Sequence, residues 1–337
     1  EHNMESTKTK ILKLLRSQEG YLSGQELCNR LGISRTAVWK YMKQLKEEGY
    51  QIQAVQNKGY CLTDVPDVLG ESEIKSRLTT RWAGQEVCFY PEVDSTNTQA
   101  RRLAEEGVPS GTLVVTDCQT KGKGRRGRTW ESPKDSSVYM SLLMRPKIQP
   151  QRASMLTLVM GLSVTQAIQK LLDRENGDHT VQIKWPNDVV LNKKKLVGIL
   201  TEMNAQIDYI EYLVIGVGIN ANIKEFPEEL RDKATSLYEE LGHPVNRAEL
   251  IADILLEFEK NYEIFEKTQD LSGLLEAYQA VSANYQQPVR VLEPGNEYTG
   301  IARGINTAGE LLVEKEDHTI EKVYSGEVSV RGLYSYV

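Results

Sequence analysis

Residues 111–130 read GTLVVTDCQTKGKGRRGRTW. An aliphatic run of strand length opens into eleven residues that hold three glycines and five cationic side chains, closed by Trp130. A short unbroken apolar run bounded by glycine is the pattern of a strand buried on both faces. Glycines at 122, 124 and 127 rule out a stable helix beyond it. The chain must therefore build a sheet with a flexible, positive loop at one strand end. Those glycines let backbone N–H groups approach an anion. Lys123, Arg125, Arg126 and Arg128 supply charge, and arginine grips phosphate or carboxylate with two parallel donors. The loop lacks the G-x-x-x-x-G-K-[ST] of a phosphate-binding loop and the spacing of a dinucleotide fingerprint. By itself it fits a nucleotide site and a nucleic-acid contact equally.

The charge is unevenly spread. The whole chain of 337 residues is net −6, yet Lys8 to Tyr60 carries ten Lys or Arg against four Glu, net +6. That asymmetry points to one module that meets a polyanion. Its pattern is helical three times over. Ile11, Leu12, Leu14 and Leu15 mark a first helix. Ser23 and Glu26 make a capping box for a second, which Gly32 ends. Ser34 caps a third, expected over Arg35–Glu48, with Val38, Met42 and Leu45 as its buried stripe. Residues 50–62 then alternate as two strands around Asn57-Lys58-Gly59. This is a winged helix-turn-helix. Ser34, Arg35, Thr36 and Lys40 on the third helix and Lys58 on the wing are the candidate DNA contacts. A helical docking module with solvated charges is the plainer alternative; the net positive charge favours DNA.

No apolar run reaches the roughly 20 residues of a membrane span. The polar N-terminus has no apolar leader core, and Glu1 to Asn3 ahead of Met4 read as an appended remnant. Four scattered cysteines and four scattered histidines form no metal-binding or disulfide pattern, so reduced thiols and a cytoplasmic location are expected. Residues 63–72, with Pro66 and Gly70, make a linker. Helices and strands then mix to about residue 280, and two further stretches carry chemistry. KWPND (184–188) sets Lys184 on a strand just before a proline-fixed turn, and GVGIN (216–220) offers a close backbone approach and the Asn220 amide. A cationic loop, a strand lysine and a second glycine loop describe a small-molecule and nucleotide pocket. Trp185 reads as core packing, and Asn187 and Asp188 as turn formers, with a metal role for Asp188 as the alternative.

DSTN (94–97), QTKGKGRRGRTW (119–130), KWPNDVVL (184–191), KLVGIL (195–200) and GVGIN (216–220) stand in the order found in biotin protein ligases. With its winged helix, nearly the whole chain resembles the bifunctional kind, which also represses a biotin operon. The resemblance implies an α+β multidomain fold: a DNA-binding domain over 1–66, a mixed α/β, class II synthetase-like catalytic domain over 67–282, and an SH3-like β-barrel over 283–337. It implies ATP, biotin and Mg²⁺ as ligands and biotinyl-5′-AMP as intermediate. The acceptor would be a lysine of the biotin carboxyl carrier protein of acetyl-CoA carboxylase. Operator DNA would be bound by a homodimer loaded with the adenylate. Residue by residue, Ser95, Thr96, Asn97, Gln119, Gly122, Lys123 and Gly124 match the biotin side. Arg128, Trp130 and Asn220 match the nucleotide side, and Arg125 and Lys184 the reacting carboxylate and phosphate. No residue is implied as a metal ligand. Residues 221–237 match a loop that orders over the adenylate. SGEVSVR (325–331) matches the end of the barrel, where Arg331 either reaches the nucleotide or holds the domain.

One position departs from the common form: Lys123 stands where arginine is frequent, keeping the charge and losing the planar fork. Two other functions compete. A regulator that senses biotin without catalysis has no need of both Arg125 and Lys184. A lipoate-type ligase is disfavoured by the Arg/Gly loop, although ring specificity is not written in it.

Overall fold

The computed structural model describes residues 5–175, 177–326, 329–332 and 336–337; Glu1 to Asn3 and part of the 325–331 segment lie outside that set. The chain divides into two compact units: residues 1–79 with 246–252, and residues 80–245 with 253–337.

The first unit begins with α1 (Thr7–Ser17), α2 (Gly24–Leu31) and α3 (Arg35–Glu47). Side-chain caps start all three. Ser23 Oγ accepts from Glu26 N at 3.0 Å and Ser34 Oγ from Ala37 N at 3.2 Å. Only half of the expected capping box forms, because the Glu26 carboxylate pairs with Arg30 one turn on. Ile11, Leu12, Leu15, Leu27, Val38, Met42 and Leu45 meet in one buried cluster. Each such side chain contributes about 1.5–3 kcal/mol by leaving water. Strands β1 (Gln51–Val55) and β2 (Gly59–Asp64) pair antiparallel as the wing. Leu22 exchanges two backbone bonds with Tyr60, at 2.8 and 2.9 Å. That close approach needs Gly59, where a Cβ would stand 2.1 Å from the Leu22 carbonyl oxygen.

The linker is shorter than expected, since α4 (Glu71–Arg77) starts inside it. Glu73 is almost fully buried, with Arg16 at 2.5 Å, Arg77 at 2.6 Å and the Tyr50 hydroxyl on its carboxylate. Burial and this carboxylate push the Tyr50 phenol far above its ordinary range.

The second unit is built on β3 (Val87–Tyr90), β4 (Leu113–Thr116), β5 (Val138–Met144), β6 (Val181–Lys184), β7 (Asp188–Leu191), β8 (Lys194–Ala205) and β9 (Ile210–Ile219). Their order in the sheet is β3-β4-β5-β9-β8-β7-β6, and only β3 and β4 run parallel. The helices are α5 (Thr96–Glu105), α6 (Ala153–Arg174), α7 (Leu237–Leu241), α8 (Arg247–Thr268, its first turn belonging to the first unit) and α9 (Leu275–Ala280). The two-residue period of β8 sorts the faces. Thr201 bonds Thr157 of α6 at 2.7 Å, whereas the next residue, Glu202, accepts from Asn97 of α5 at 3.0 Å. Helices α5 and α6 therefore cover opposite faces, and β5 is buried along its whole length. By length and composition α6, with the turn before it, could cross a membrane; 78 % of its most apolar window is buried inside this protein, as a core helix.

The last strands are β10 (Pro288–Glu293), β11 (Asn296–Ile305), β12 (Leu311–Glu314), β13 (Ile320–Val323) and β14 (Ser329–Gly332). They form an antiparallel sheet in the order β13-β12-β11-β10-β14. Among the described residues no pairing joins β13 to β14, so the observed arrangement is a sheet with two edges and not a closed barrel.

Candidate active site and nucleic-acid interface

A polar constellation lies where β5, β8 and β9 meet the N-terminus of α5. Ser95 caps α5. Thr96 N donates to Gln119 Oε1 at 2.9 Å, and Gln119 Nε2 to Ser132 Oγ at 2.9 Å. Asn97 Nδ2 donates to the Leu200 carbonyl at 3.1 Å, and the Ser141 hydroxyl donates to Asn97 Oδ1 at 2.6 Å. Gly216 leaves room for that amide, since a Cβ there would lie 2.3 Å from Asn97 Oδ1. Ser95, Thr96, Asn97, Ser132 and Ser141 are buried and Gln119 is partly so, and their mutual hydrogen bonds make a polar wall.

The glycine-rich stretch folds back on itself. Trp130 N donates to the Gly122 carbonyl at 3.0 Å and Gly124 N to the Arg128 carbonyl at 2.8 Å. The Gly124 N–H is thus spent inside the loop, and glycine at 122 serves the close approach of Trp130 and Ser132. The Trp130 ring lies over Gly198 of β8 and Gly218 of β9, where added Cβ atoms would each meet it at 2.7 Å. Its Nε1 is buried and makes no hydrogen bond. Lys195 Nζ stands 5.4 Å from the ring centre. Arg125 donates to Asn187 Oδ1 at 3.0 Å and to the Ser325 and Gly326 carbonyls at 3.2 and 2.7 Å. Desolvation lowers its pKa.

One cavity collects Ser95, Thr96, Asn97, Gln119, Lys123, Gly124, Arg125 and Trp130, all named from sequence. It also takes Tyr139, which no motif covered, and Asn187, Lys195 and the Gly198, Gly216 and Gly218 floor, which the motifs contained without singling out as wall. Gly122, Arg128, Lys184 and Asn220 are not on that wall. Arg128 is exposed on the loop. Asn220 binds the backbone of β8, its N donating to Leu196 O at 3.0 Å. Residues 233–235 run along the same strand start, Lys195 N donating to Lys233 O at 2.8 Å and Thr235 N to Lys195 O at 3.0 Å.

Lys184, at the end of β6, is 5 % exposed. Burial is the main cause that lowers its pKa to about 7, and Asp188 opposes it. Asp188 carries an ion pair with Lys195 at 2.9 Å. The Tyr336 ring centre is 3.2 Å from Lys184 Nζ, and its hydroxyl donates to Asp188 Oδ2. No motif marked Tyr336. Trp185 is buried, its Nε1 donating to the Gly309 carbonyl at 2.9 Å. Arg331 has a buried Nε without a hydrogen-bond partner.

In the first unit Ser34, Arg35, Thr36, Lys40 and Lys58 are all exposed. Arg35 is oriented by Gln25 Oε1 at 2.9 Å. Trp39, off the buried stripe of α3, is 60 % exposed beside Lys43, 5.7 Å from its ring centre. Exposure of so large an apolar face on that helix is a feature the cationic count missed.

Residues 89–220 match the biotin/lipoate A/B protein ligase family, 7–61 an HTH domain and 287–331 a biotin protein ligase C-terminal domain. The "Bifunctional ligase/repressor BirA" of Bacillus subtilis is 40 % identical over 97 % of this chain and 100 % of its own length. The chain belongs to the biotin protein ligase family, among its bifunctional ligase/repressors. The Escherichia coli protein of the same name is 32 % identical, covering 96 % of each chain. Among solved structures, the biotin protein ligase of Aquifex aeolicus in complex with biotin and ATP is 33 % identical. It aligns with a TM-score of 0.63 over 73 % of this chain and 99 % of its own.

Proposed function

We propose that this chain activates biotin with ATP to biotinyl-5′-AMP, releasing pyrophosphate. It then transfers biotin to a lysine of the biotin carboxyl carrier protein of acetyl-CoA carboxylase. Loaded with the adenylate, it represses biotin-operon genes as a homodimer on operator DNA. The observation that carries the reading is the single cavity in which a polar wall, Arg125 and the unpartnered Trp130 indole face one another. The polar wall of Ser95, Thr96, Asn97 and Gln119 suits an amide-rich ring such as biotin's. Trp130 over the glycine floor suits a flat base, its free N–H seeking an acceptor. Arg125 on that wall and Lys184 off it would neutralise the two anions that the reaction brings together, a carboxylate and a triphosphate. Positioning and charge neutralisation perform such a transfer without a protein nucleophile. The attacking nucleophile of the second step is the partner's lysine.

Mg²⁺ is expected with ATP. Among the described residues no group of three His, Cys, Asp or Glu side chains is placed to hold a metal, and Asp188 is engaged by Lys195 and Tyr336. The division into a DNA-binding domain (1–66), a class II synthetase-like catalytic domain (67–282) and an SH3-like C-terminal domain (283–337) belongs to the same proposal, as does action in the cytoplasm. Ser34, Arg35, Thr36, Lys40 and Lys58 would face the operator.

Pyrophosphate release with ATP, Mg²⁺ and biotin, with and without the apo carrier domain, tests the reading. Biotin-dependent release followed by a mass gain on the carrier supports it. Biotin binding without release leaves a ligand-sensing regulator. Release with lipoate alone keeps the chemistry and replaces the substrate.

A further inference from the structure

Lys184 is the one residue assigned to the reacting groups that does not reach the cavity wall. Its ammonium is not short of space for want of a tunnel; it is covered by a ring. Tyr336 lies with its ring centre 3.2 Å from Lys184 Nζ and its hydroxyl on Asp188. Asp188 in turn holds Lys195, which stands over Trp130 in the cavity. Arg331 is close enough to act electrostatically on both Lys184 and Tyr336. One aromatic side chain therefore touches both Lys184 and Asp188, beside the candidate active site.

We propose that Tyr336 is an intramolecular stopper: it covers the ammonium to which a substrate carboxylate or phosphate binds, and it must withdraw before that anion can be seated. The geometry forces the exclusion. An anionic oxygen needs to sit about 2.7–2.9 Å from Nζ, and a ring face already at 3.2 Å leaves no room on that side. The energetics allow the exchange. A cation–π contact and one hydrogen bond are weaker than a charge-assisted pair with an anionic carboxylate or phosphate oxygen, so ligand displaces the ring and not the reverse. The ring gives a buried cation a partner. The identity of the displacing anion rests on the ligase reading; the covering of Lys184 does not.

The test separates the two. The full chain, Tyr336→Ala, Tyr336→Phe and a chain ending at residue 335 are pulsed with acetic anhydride near neutral pH, and labelling at Lys184 is read by peptide mass against exposed Lys193. The stopper predicts at least fivefold more labelling of Lys184 in Tyr336→Ala and in the shortened chain. Tyr336→Phe, which keeps the ring, stays near the parent. Stopped-flow mixing with biotin and ATP then predicts faster association for Tyr336→Ala. Unchanged labelling in both Tyr336→Ala and the shortened chain overturns the proposal. So does slower association, which would make Tyr336 part of the ligand site. Higher labelling in a protein that releases no pyrophosphate with any acid upholds the stopper and sinks the ligase reading alone.

Discussion

At the scale of single residues, Lys184 has the clearest pH signature. Burial lowers its pKa to about 7, so near neutral pH part of the unliganded protein holds it without a proton. An anion seated beside it restores the charge. Biotin binding at pH 8 should therefore take up a fraction of a proton. Calorimetry in two buffers of different ionisation enthalpy should show this, and Lys184→Met should not. The stability consequence has the same origin. Between about 7 and the ordinary lysine value of 10.5 the unfolded chain binds more protons than the folded one, so stability rises with pH across that window. Thermal melts of Lys184→Met should lose that slope. Arg125, half-buried and tied to Asn187, is the other cation proposed to meet the reacting groups. Arg125→Ala should lower adenylation by about 10²–10³-fold, as loss of a preorganised charge-stabilising donor does, with little change in melting temperature.

At the scale of elements, the site depends on what glycines in β8 and β9 do not carry. Gly216→Ala would drive a methyl into Asn97, which is held by Leu200, Glu202 and Ser141 and has nowhere to go. A loss of about 2–4 kcal/mol is expected in denaturant titration, with biotin affinity falling alongside. In Gly218→Ala the three atoms nearest the added methyl all belong to the Trp130 ring, a side chain and not backbone. That variant should unfold within about 1 kcal/mol of the parent and show altered tryptophan emission and weaker ATP binding; equal loss in both variants would deny Trp130 its mobility. Trp130 illustrates the limit of local reading. Its motif placed it beside a nucleotide, yet the glycines that make its seat lie 68 and 88 residues further along, and pairing of β8 with β9 brings them together.

At the scale of the whole molecule, a net +6 segment inside an acidic chain predicts an operator affinity that falls steeply with salt. Lys58→Ala should reduce the slope of log affinity against log salt by about 1, whereas Arg35→Ala should cost about 1–3 kcal/mol and relax base choice. Filter binding at several salt concentrations distinguishes them; equal slopes for Lys58→Ala and the parent would remove the wing from the interface.

The sequence alone determined the elements whose causes are local. The three N-terminal helices and the wing follow from caps, apolar period and turn residues within a few positions of each other. The buried strand before the Arg/Gly loop follows from its own aliphatic run. The members of the polar wall were legible because motif and wall coincide at Ser95–Asn97 and Gln119. Only the tertiary structure decided what long-range packing decides. Ser141 and Lys195 joined the site through strand register. Glu26 gave up its backbone bond for Arg30. Among the described residues the five C-terminal strands pair as one sheet in which no barrel closure is found. Tyr336, with no motif around it, covers a lysine 152 positions away. Local free energies of capping and turn formation are written in neighbouring residues. The partner of a buried charge is chosen by which surfaces the finished fold brings into contact.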